Sequence, residues 1–184
     1  DWNGRAEAKK AKVKLSTDSP SGSDETLTKF DYGICLAAAL GYLMIYQQDP
    51  VGLVAFDTKL TTVIPPKSKR SQLGTILSVL ANLKPTGETN IAYSLFQLAS
   101  MIKGNSLVML FSDLLGDPDS ILRAIHRLRY SGHDLIVFHI LDEAEAQFPF
   151  EGMVRLEDNE THEIIEVDAD AIKADYLEEV EQSR

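Results

Sequence analysis

Two short polar segments carry the side chains that could do chemistry in this 184-residue sequence. The first ends the run Ser106-Leu-Val-Met-Leu-Phe-Ser-Asp113, which is apolar, of strand length, and stops on a carboxylate. The second is Pro85-Thr-Gly-Glu-Thr89, a turn-forming stretch that ends on a hydroxyl. Continuous apolar runs bounded by turn residues are typical of strands buried on both faces. Asp113 is therefore predicted at the carboxyl edge of a parallel sheet, where α/β proteins bind ligands.

A hydroxyl and a carboxylate that share one sheet edge could bind a hard cation. Thr89 and Asp113 supply oxygen donors, which suit Mg²⁺, Mn²⁺ or Ca²⁺ better than Zn²⁺. In the structural alternative, Thr89 and its neighbour Asn90 are the candidates for the cap of the next helix, and Asp113 forms the turn after its strand. A strand-end Asp could also serve a magnesium-dependent phosphatase or a phosphoacceptor, and that chemistry requires further acids and a Lys beside Asp113.

Other catalytic patterns do not occur in the sequence. It has no Gly-x-Ser-x-Gly elbow, no Walker A loop and no Gly-x-Gly-x-x-Gly turn. The single cysteine, Cys35, lies in an apolar segment and is predicted to be packed. His139 is predicted inside a strand and His126 on a solvated helix face. The four histidines share no ligand spacing: His126, His133, His139 and His162. We therefore expect a protein that is not an enzyme and has no catalytic residues.

The apolar pattern predicts strands that alternate with helices. The helix at 28–47 is apolar on all sides and is predicted to be buried nearly all round. Right-handed crossovers between parallel strands place helices on both faces of a sheet. The predicted fold class is therefore α/β, with a doubly wound, mostly parallel sheet and a C-terminal hairpin and helix. The predicted strands are 51–56, 61–64, 106–113, 134–141, 154–156 and 164–167, and the helices are 28–47, 73–83, 91–102, 118–131 and 169–180.

The charge balance of the chain limits its partners and its location. A formal net charge of -10, with scattered basic residues, opposes binding to the phosphate backbone of nucleic acids. Arg123, Arg127 and Arg129 could form a partner patch, although a solvated helix face is the favoured interpretation. The longest apolar run, residues 34–46, is too short to span a bilayer. With a single cysteine, the sequence predicts a cytoplasmic protein from a reducing compartment.

Several phrases of the sequence resemble one bacterial family. From Tyr32 to Gln182 the chain resembles the family catalogued as domain of unknown function 58, whose members look like von Willebrand factor type A (vWA) domains. Asp1-Trp2 also resembles the segment that precedes the vWA domain, which implies a longer parent. The predicted division is a remnant of that upstream segment and a loop at 1–22, followed by a vWA-like domain at 23–184. The resembling phrases are Leu27-Thr-Lys-Phe-Asp-Tyr32, Leu36-Ala-Ala-Ala-Leu40, Gln48-Asp-Pro-Val-Gly-Leu53, Ile64-Pro-Pro66, Phe111-Ser-Asp-Leu-Leu115, Ser131-Gly-His-Asp134, Phe148-Pro-Phe-Glu-Gly152 and Leu156-Glu-Asp158.

The vWA resemblance implies a divalent cation at a metal-ion-dependent adhesion site. Such a site takes ligands from an Asp-x-Ser-x-Ser motif after the first strand, a Thr in a second loop and an Asp after a central strand. By resemblance, Thr89 has the second-loop role and Asp113 the third-loop role. The resemblance also implies a non-catalytic protein–protein interaction module that works with a MoxR-like AAA ATPase in complex assembly or maturation. The alternatives are the phosphatase or phosphoacceptor that uses Asp113 and a metal-independent scaffold.

The first motif of that site departs from the family pattern. It should fall between Leu15 and Leu27 together with an apolar strand, yet Asp18 is followed at the required offsets by Pro20 and Gly22. A missing stretch between two joined pieces, loss of the motif in the parent, or truncation would each explain this, and the first explanation is favoured. The substitute ligands that the stretch offers are Asp18, Ser19, Ser21 and Ser23.

Overall fold

The computed structural model describes residues 27–85, 88–157 and 164–182. Asp18, Ser19, Ser21, Ser23 and His162 therefore lie outside the described residues. All the predicted helices and strands are confirmed to within a few residues. In chain order the elements are α1 (Lys29–Tyr46), β1 (Val51–Phe56), β2 (Leu60–Lys67), α2 (Ser71–Asn82), α3 (Ile91–Met101), β3 (Leu107–Ser112), α4 (Pro118–Tyr130), β4 (Asp134–His139), α5 (Glu143–Gln147), β5 (Met153–Glu157), β6 (Ile164–Asp168) and α6 (Ala169–Gln182).

Two elements differ from the sequence prediction. Strand β2 continues through Pro65 and Pro66 instead of ending before them. Proline has no N–H to donate, and an edge strand tolerates it because the backbone groups on its outer side do not hydrogen-bond to another strand. The short helix α5 was not predicted. It begins with a capping box in which Ala144 N donates to Asp142 Oδ1 at 2.8 Å and Asp142 N donates to Glu145 Oε2 at 3.0 Å. The Asp-x-x-Glu spacing of these two residues is the sequence signal that predicts the start of a helix here.

The described strands form three two-stranded sheets. Strands β1 and β2 pair antiparallel, as do β5 and β6. Strands β3 and β4 pair parallel, with Leu107 opposite Asp134 and Ser112 opposite His139. The architecture is thus mixed α/β with one parallel pair, and a single doubly wound sheet stays a prediction.

The chain divides into two compact units, one of which is Leu27–Ile140. Within this unit one apolar core joins α3, β3 and α4, and its most enclosed members are Ala124 and Leu128. We call it the α3–α4 core. A second core joins α1 and α2 through Ile45, Ile76 and Leu80. The α3–α4 core fixes the position of β3, the strand that ends at Asp113.

The described residues from Leu141 onward belong to the other unit. Its core, which we call the Phe150 core, consists of Phe148, Phe150 and Ala169 with partly buried neighbours. The rings of Phe148 and Phe150 meet edge to face, with centroids 5.2 Å apart. This core holds α6 against the β5–β6 hairpin.

Helix α1 contradicts the prediction that it is buried nearly all round. Only Gly41 and Ile45 are buried, and Tyr46 is 68% exposed. Cys35, predicted to be packed, is exposed. The prediction was wrong because apolar residues continue around the whole helix, whereas the described elements that α1 contacts, α2, β1 and β3, leave several of these residues exposed. Part of the apolar surface of α1 is therefore exposed among the described residues.

Candidate functional site

Asp113 lies at the carboxyl end of β3, as predicted, and forms the turn that follows it. Leu115 N donates to Asp113 Oδ1 at 3.4 Å, and Leu114 N donates to Ser112 Oγ at 3.1 Å. Leu114 has a φ of 54°, a left-handed conformation that a leucine rarely adopts. From the neighbouring strand, the Nε2 atom of His139 lies 3.2 Å from the carbonyl oxygen of Asp113. Asp113 therefore forms the turn after β3, which is the structural role that the sequence offers for it.

The second group at this end of β3 is Lys29, which sequence analysis did not single out. Its Nζ atom lies 3.3 Å from Asp113 Oδ2, and the two side chains are 22% and 32% exposed. Lys29 is the first residue of α1, whose start is fixed by a capping box between Thr28 and Asp31. The two partners are 84 positions apart. Only the fold reveals this pair, because no local spacing connects them.

Thr89 lies in the loop before α3 and is exposed. The cap of α3 is Asn90, whose Oδ1 accepts from Tyr93 N at 2.9 Å, so Thr89 does not have the capping role. Asn90 N also donates to the carbonyl of Asp57 at 2.9 Å, which ties this loop to the end of β1. Among the described residues, the side chains of Thr89 and Asp113 do not hydrogen-bond to each other.

The described residues alone do not fit a divalent-cation site. Within the described ranges, no group of three or more His, Cys, Asp or Glu side chains is arranged to hold a metal ion. One oxygen of Asp113 already faces the ammonium group of Lys29, and Thr89 offers only a neutral hydroxyl. The additional ligand candidates Asp18, Ser21 and Ser23 lie outside the described residues.

The other acidic residues near strand ends have local structural roles. Asp57 Oδ1 accepts from Lys59 N at 3.1 Å in the β1–β2 turn. Asp117 caps α4 by accepting from Ser120 N at 3.0 Å. The hydrogen bonds from the side chain and backbone of Ser120 hold the pKa of Asp117 below its ordinary value. Asp119 lies in the first turn of α4, so both Asp117 and Asp119 belong to the start of this helix.

The histidines and the α4 arginines of the described region differ in their exposure. His126 is exposed, as predicted. His133 is only 4% exposed, and its Nδ1 has no hydrogen-bond partner among the described residues. His139 is half-buried within β4, the strand position that the sequence predicts. The three arginines of α4 are exposed, which agrees with a solvated helix face: Arg123, Arg127 and Arg129.

Comparison with protein families identifies the chain. A family model described as a protein of unknown function, DUF58, matches residues 4–184. The chain belongs to the DUF58 family. Comparison of this DUF58 chain with curated proteins and with solved structures found no match. Of the helices in the described ranges, none combines the length and the hydropathy needed for a bilayer crossing.

Proposed function

We propose that this DUF58 chain is a non-catalytic protein–protein interaction module that binds its partner through α1. The observation that carries the proposal is an exposed row of residues, which we call the α1 stripe: Tyr32, Cys35, Ala39, Tyr42 and Tyr46. All five are exposed. Steps of three and four residues alternate along the row, which is the spacing of the seam between packed helices. The α1 stripe therefore has the pattern of a helix that packs against a partner.

The composition of α1 supports the same conclusion. From Tyr32 to Tyr46 the sequence contains no charged residue. Exposed helix faces normally carry charge, and contiguous exposed apolar surface marks interaction sites. Tyr42 and Tyr46 stack with ring centroids 6.1 Å apart and are 51% and 68% exposed. Tyrosine is enriched among the residues that dominate binding energy. The proposed partner is a protein with an apolar groove or helix.

The family resemblance supplies the identity of the proposed partner, a MoxR-like AAA ATPase that acts in complex assembly or maturation. A vWA-like, doubly wound sheet is part of the same proposal, and the parallel β3–β4 pair, which packs in one core with α3 and α4, supports it. Binding of Mg²⁺ at Thr89 and Asp113 is a separate prediction, because a contact through α1 does not require a metal ion.

The test is calorimetric titration of the chain with a MoxR-like ATPase from the same genome. Tyr42→Glu places a charge in the α1 stripe and is expected to weaken binding by about tenfold or more. Tyr130→Glu is the matched control, since Tyr130 is 88% exposed at the end of α4 and lies outside the stripe. If the two variants bind the ATPase equally well, or if neither binds it, the contact surface does not lie on the α1 stripe.

A phosphoacceptor that uses Asp113 is the second candidate, and Lys29 is the observation that favours it. That chemistry requires a Lys beside the Asp, and Lys29 Nζ lies 3.3 Å from Asp113 Oδ2. Incubation with Mg²⁺ and acetyl phosphate would transfer a phosphoryl group to the carboxylate and release acetate. A gain of one phosphoryl mass that is absent in Asp113→Asn would favour this candidate. An unchanged mass is the result expected for the interaction module.

A further inference from the structure

We propose that a basic face of α4 binds the acidic helix α6 of a second copy of the chain. This contact uses surfaces other than the α1 stripe and does not depend on the ATPase partner. Three observations support it: the unequal charge of the two units, the exposed basic residues of α4 and the exposed carboxylates of α6.

The two units of the chain carry net charges of opposite sign. The Leu27–Ile140 unit contains 10 basic and 8 acidic residues, a formal net charge of +2. Residues 141–184 contain 15 acidic and 3 basic residues, a formal net charge of -12. Contact between unlike units of two copies brings opposite charges together, whereas contact between the two acidic units would be repulsive. The distribution of charge therefore favours a contact between unlike surfaces.

The basic surface lies on the side of α4 that faces away from the α3–α4 core. We call it the α4 basic face: Arg123, His126 and Arg127. All three are exposed, whereas Ala124 and Leu128 are fully enclosed. Arg123 Nη2 donates to Ser120 Oγ at 2.7 Å, while the side chain of Arg127 makes no hydrogen bond or ion pair among the described residues. Arg127 is therefore available to a carboxylate of a second copy.

Helix α6 presents the matching carboxylates on the side away from its own core. Its inner side packs on the Phe150 core. The other side carries two alanines and two acidic residues, all exposed: Ala171, Ala174, Asp175 and Glu178. Asp175 and Glu178 are one helical turn apart, the same spacing as the two arginines of the α4 basic face, so two rows of opposite charge can meet. The small alanine side chains allow another helix to approach closely.

The charges of the two helices are what favour a partner over a solvated surface. Exposure alone would fit two solvated helices, but here each helix carries the charge that the other lacks. Arginine pairs with carboxylates in a bidentate geometry and is enriched at protein interfaces. A contact between α4 of one copy and α6 of another is heterologous, because different surfaces of the same chain meet. One sequence therefore supplies both halves of the contact.

Salt dependence is the first test of this contact on the intact, unmodified chain. One helix from each copy covers less surface than a standard interface of about 1,600 Å², so we expect weak self-association. Added salt shortens the Debye length from about 10 Å at 0.1 M to about 3 Å at 1 M, so the association should weaken. Sedimentation velocity over a range of protein concentrations measures it. A chain that stays monomeric in low salt, or associates equally in high salt, would overturn the proposal.

Charge-reversed variants test which helices meet. Arg127→Glu places a negative charge opposite α6 of the second copy, and Asp175→Arg places a positive charge opposite α4. We expect each variant alone to associate at least about tenfold more weakly than the unmodified chain. In an equal mixture, every α4–α6 contact between the two different variants again joins opposite charges. We therefore expect the mixture to recover the association.

The controls separate this contact from a general effect of charge. Lys103→Glu makes the same change of charge as Arg127→Glu at an exposed lysine outside both helices, and it is expected to leave the association unchanged. Circular dichroism checks that each variant is folded. If the mixture does not recover, or if Lys103→Glu weakens the association as much as Arg127→Glu does, the two copies do not meet through α4 and α6.

Discussion

At the scale of single residues, the ion pair between Lys29 and Asp113 occupies one carboxylate oxygen at the end of β3. The ammonium group lies 3.3 Å from Asp113 Oδ2, so a divalent cation at that oxygen must compete with it. We expect Lys29→Met to bind Mg²⁺ about tenfold more tightly than the unmodified chain. The measurement is the rise in Tm during a magnesium titration, because a ligand that binds only the folded state stabilises it.

Two further variants give this prediction its controls. Lys103→Met removes an exposed lysine elsewhere on the chain and is expected to leave the magnesium response unchanged. Asp113→Asn in the Lys29→Met background removes the charged ligand and is expected to abolish the response. A response that survives Asp113→Asn would show that any magnesium site lies away from β3.

The same two residues show what a sequence can reveal about a site. Asp113 was predicted because an apolar run that stops on an Asp is a local pattern. Lys29 was missed because it meets Asp113 only after α1 and β3 come together in the fold. Thr89 was predicted as a cap or a ligand, but the neighbouring Asn90 caps α3. Local chemistry was therefore predictable, and the long-range ion pair was not.

At the scale of elements, the β1–β2 hairpin depends on a close approach at Gly52. A Cβ atom there would lie 2.7 Å from the Ile64 carbonyl oxygen and 3.1 Å from Pro66 N, both backbone atoms. We expect Gly52→Ala to lower the free energy of unfolding by about 1–3 kcal/mol, because the two strands must separate. Urea denaturation measures the change.

Gly74→Ala is the matched control for the same substitution. Gly74 lies in α2 and is exposed, and beyond its chain neighbours and the backbone of its own helix no heavy atom lies within 4 Å of the added Cβ. Alanine is expected to stabilise α2 by about 0.5–1 kcal/mol, because glycine loses more backbone freedom on folding. Loss of stability in both variants would indicate that the hairpin contact is not the cause of the Gly52 effect.

Helices and strands were predictable to the extent that their signals are local. Helix α4 has an Asp cap, a proline in its first turn and apolar residues at helical spacing, so its bounds follow from the sequence. The position of helix α1 was predicted correctly, but its degree of burial was not. Apolar residues around the whole helix do not reveal how many of its faces contact another element.

At the scale of the whole molecule, the two units have separate apolar cores. The members of the α3–α4 core and its partly buried neighbours all lie between Phe56 and Val137. Those of the Phe150 core lie between Ala144 and Leu177. A loss of packing in one core should therefore act locally.

Hydrogen exchange of Phe150→Ala tests this independence. Truncation of a buried phenylalanine typically costs about 3–5 kcal/mol, so we expect faster exchange at the amides of α6, which packs on the Phe150 core. Exchange in α3 and α4 is expected to stay unchanged, because their contacts are intact. Leu128→Ala is the reciprocal variant, since Leu128 is fully enclosed in the α3–α4 core, and it should speed exchange in α3 and α4 but not in α6. If either variant speeds exchange in all three helices equally, the units unfold as one cooperative body, and the separation of their cores has no energetic consequence.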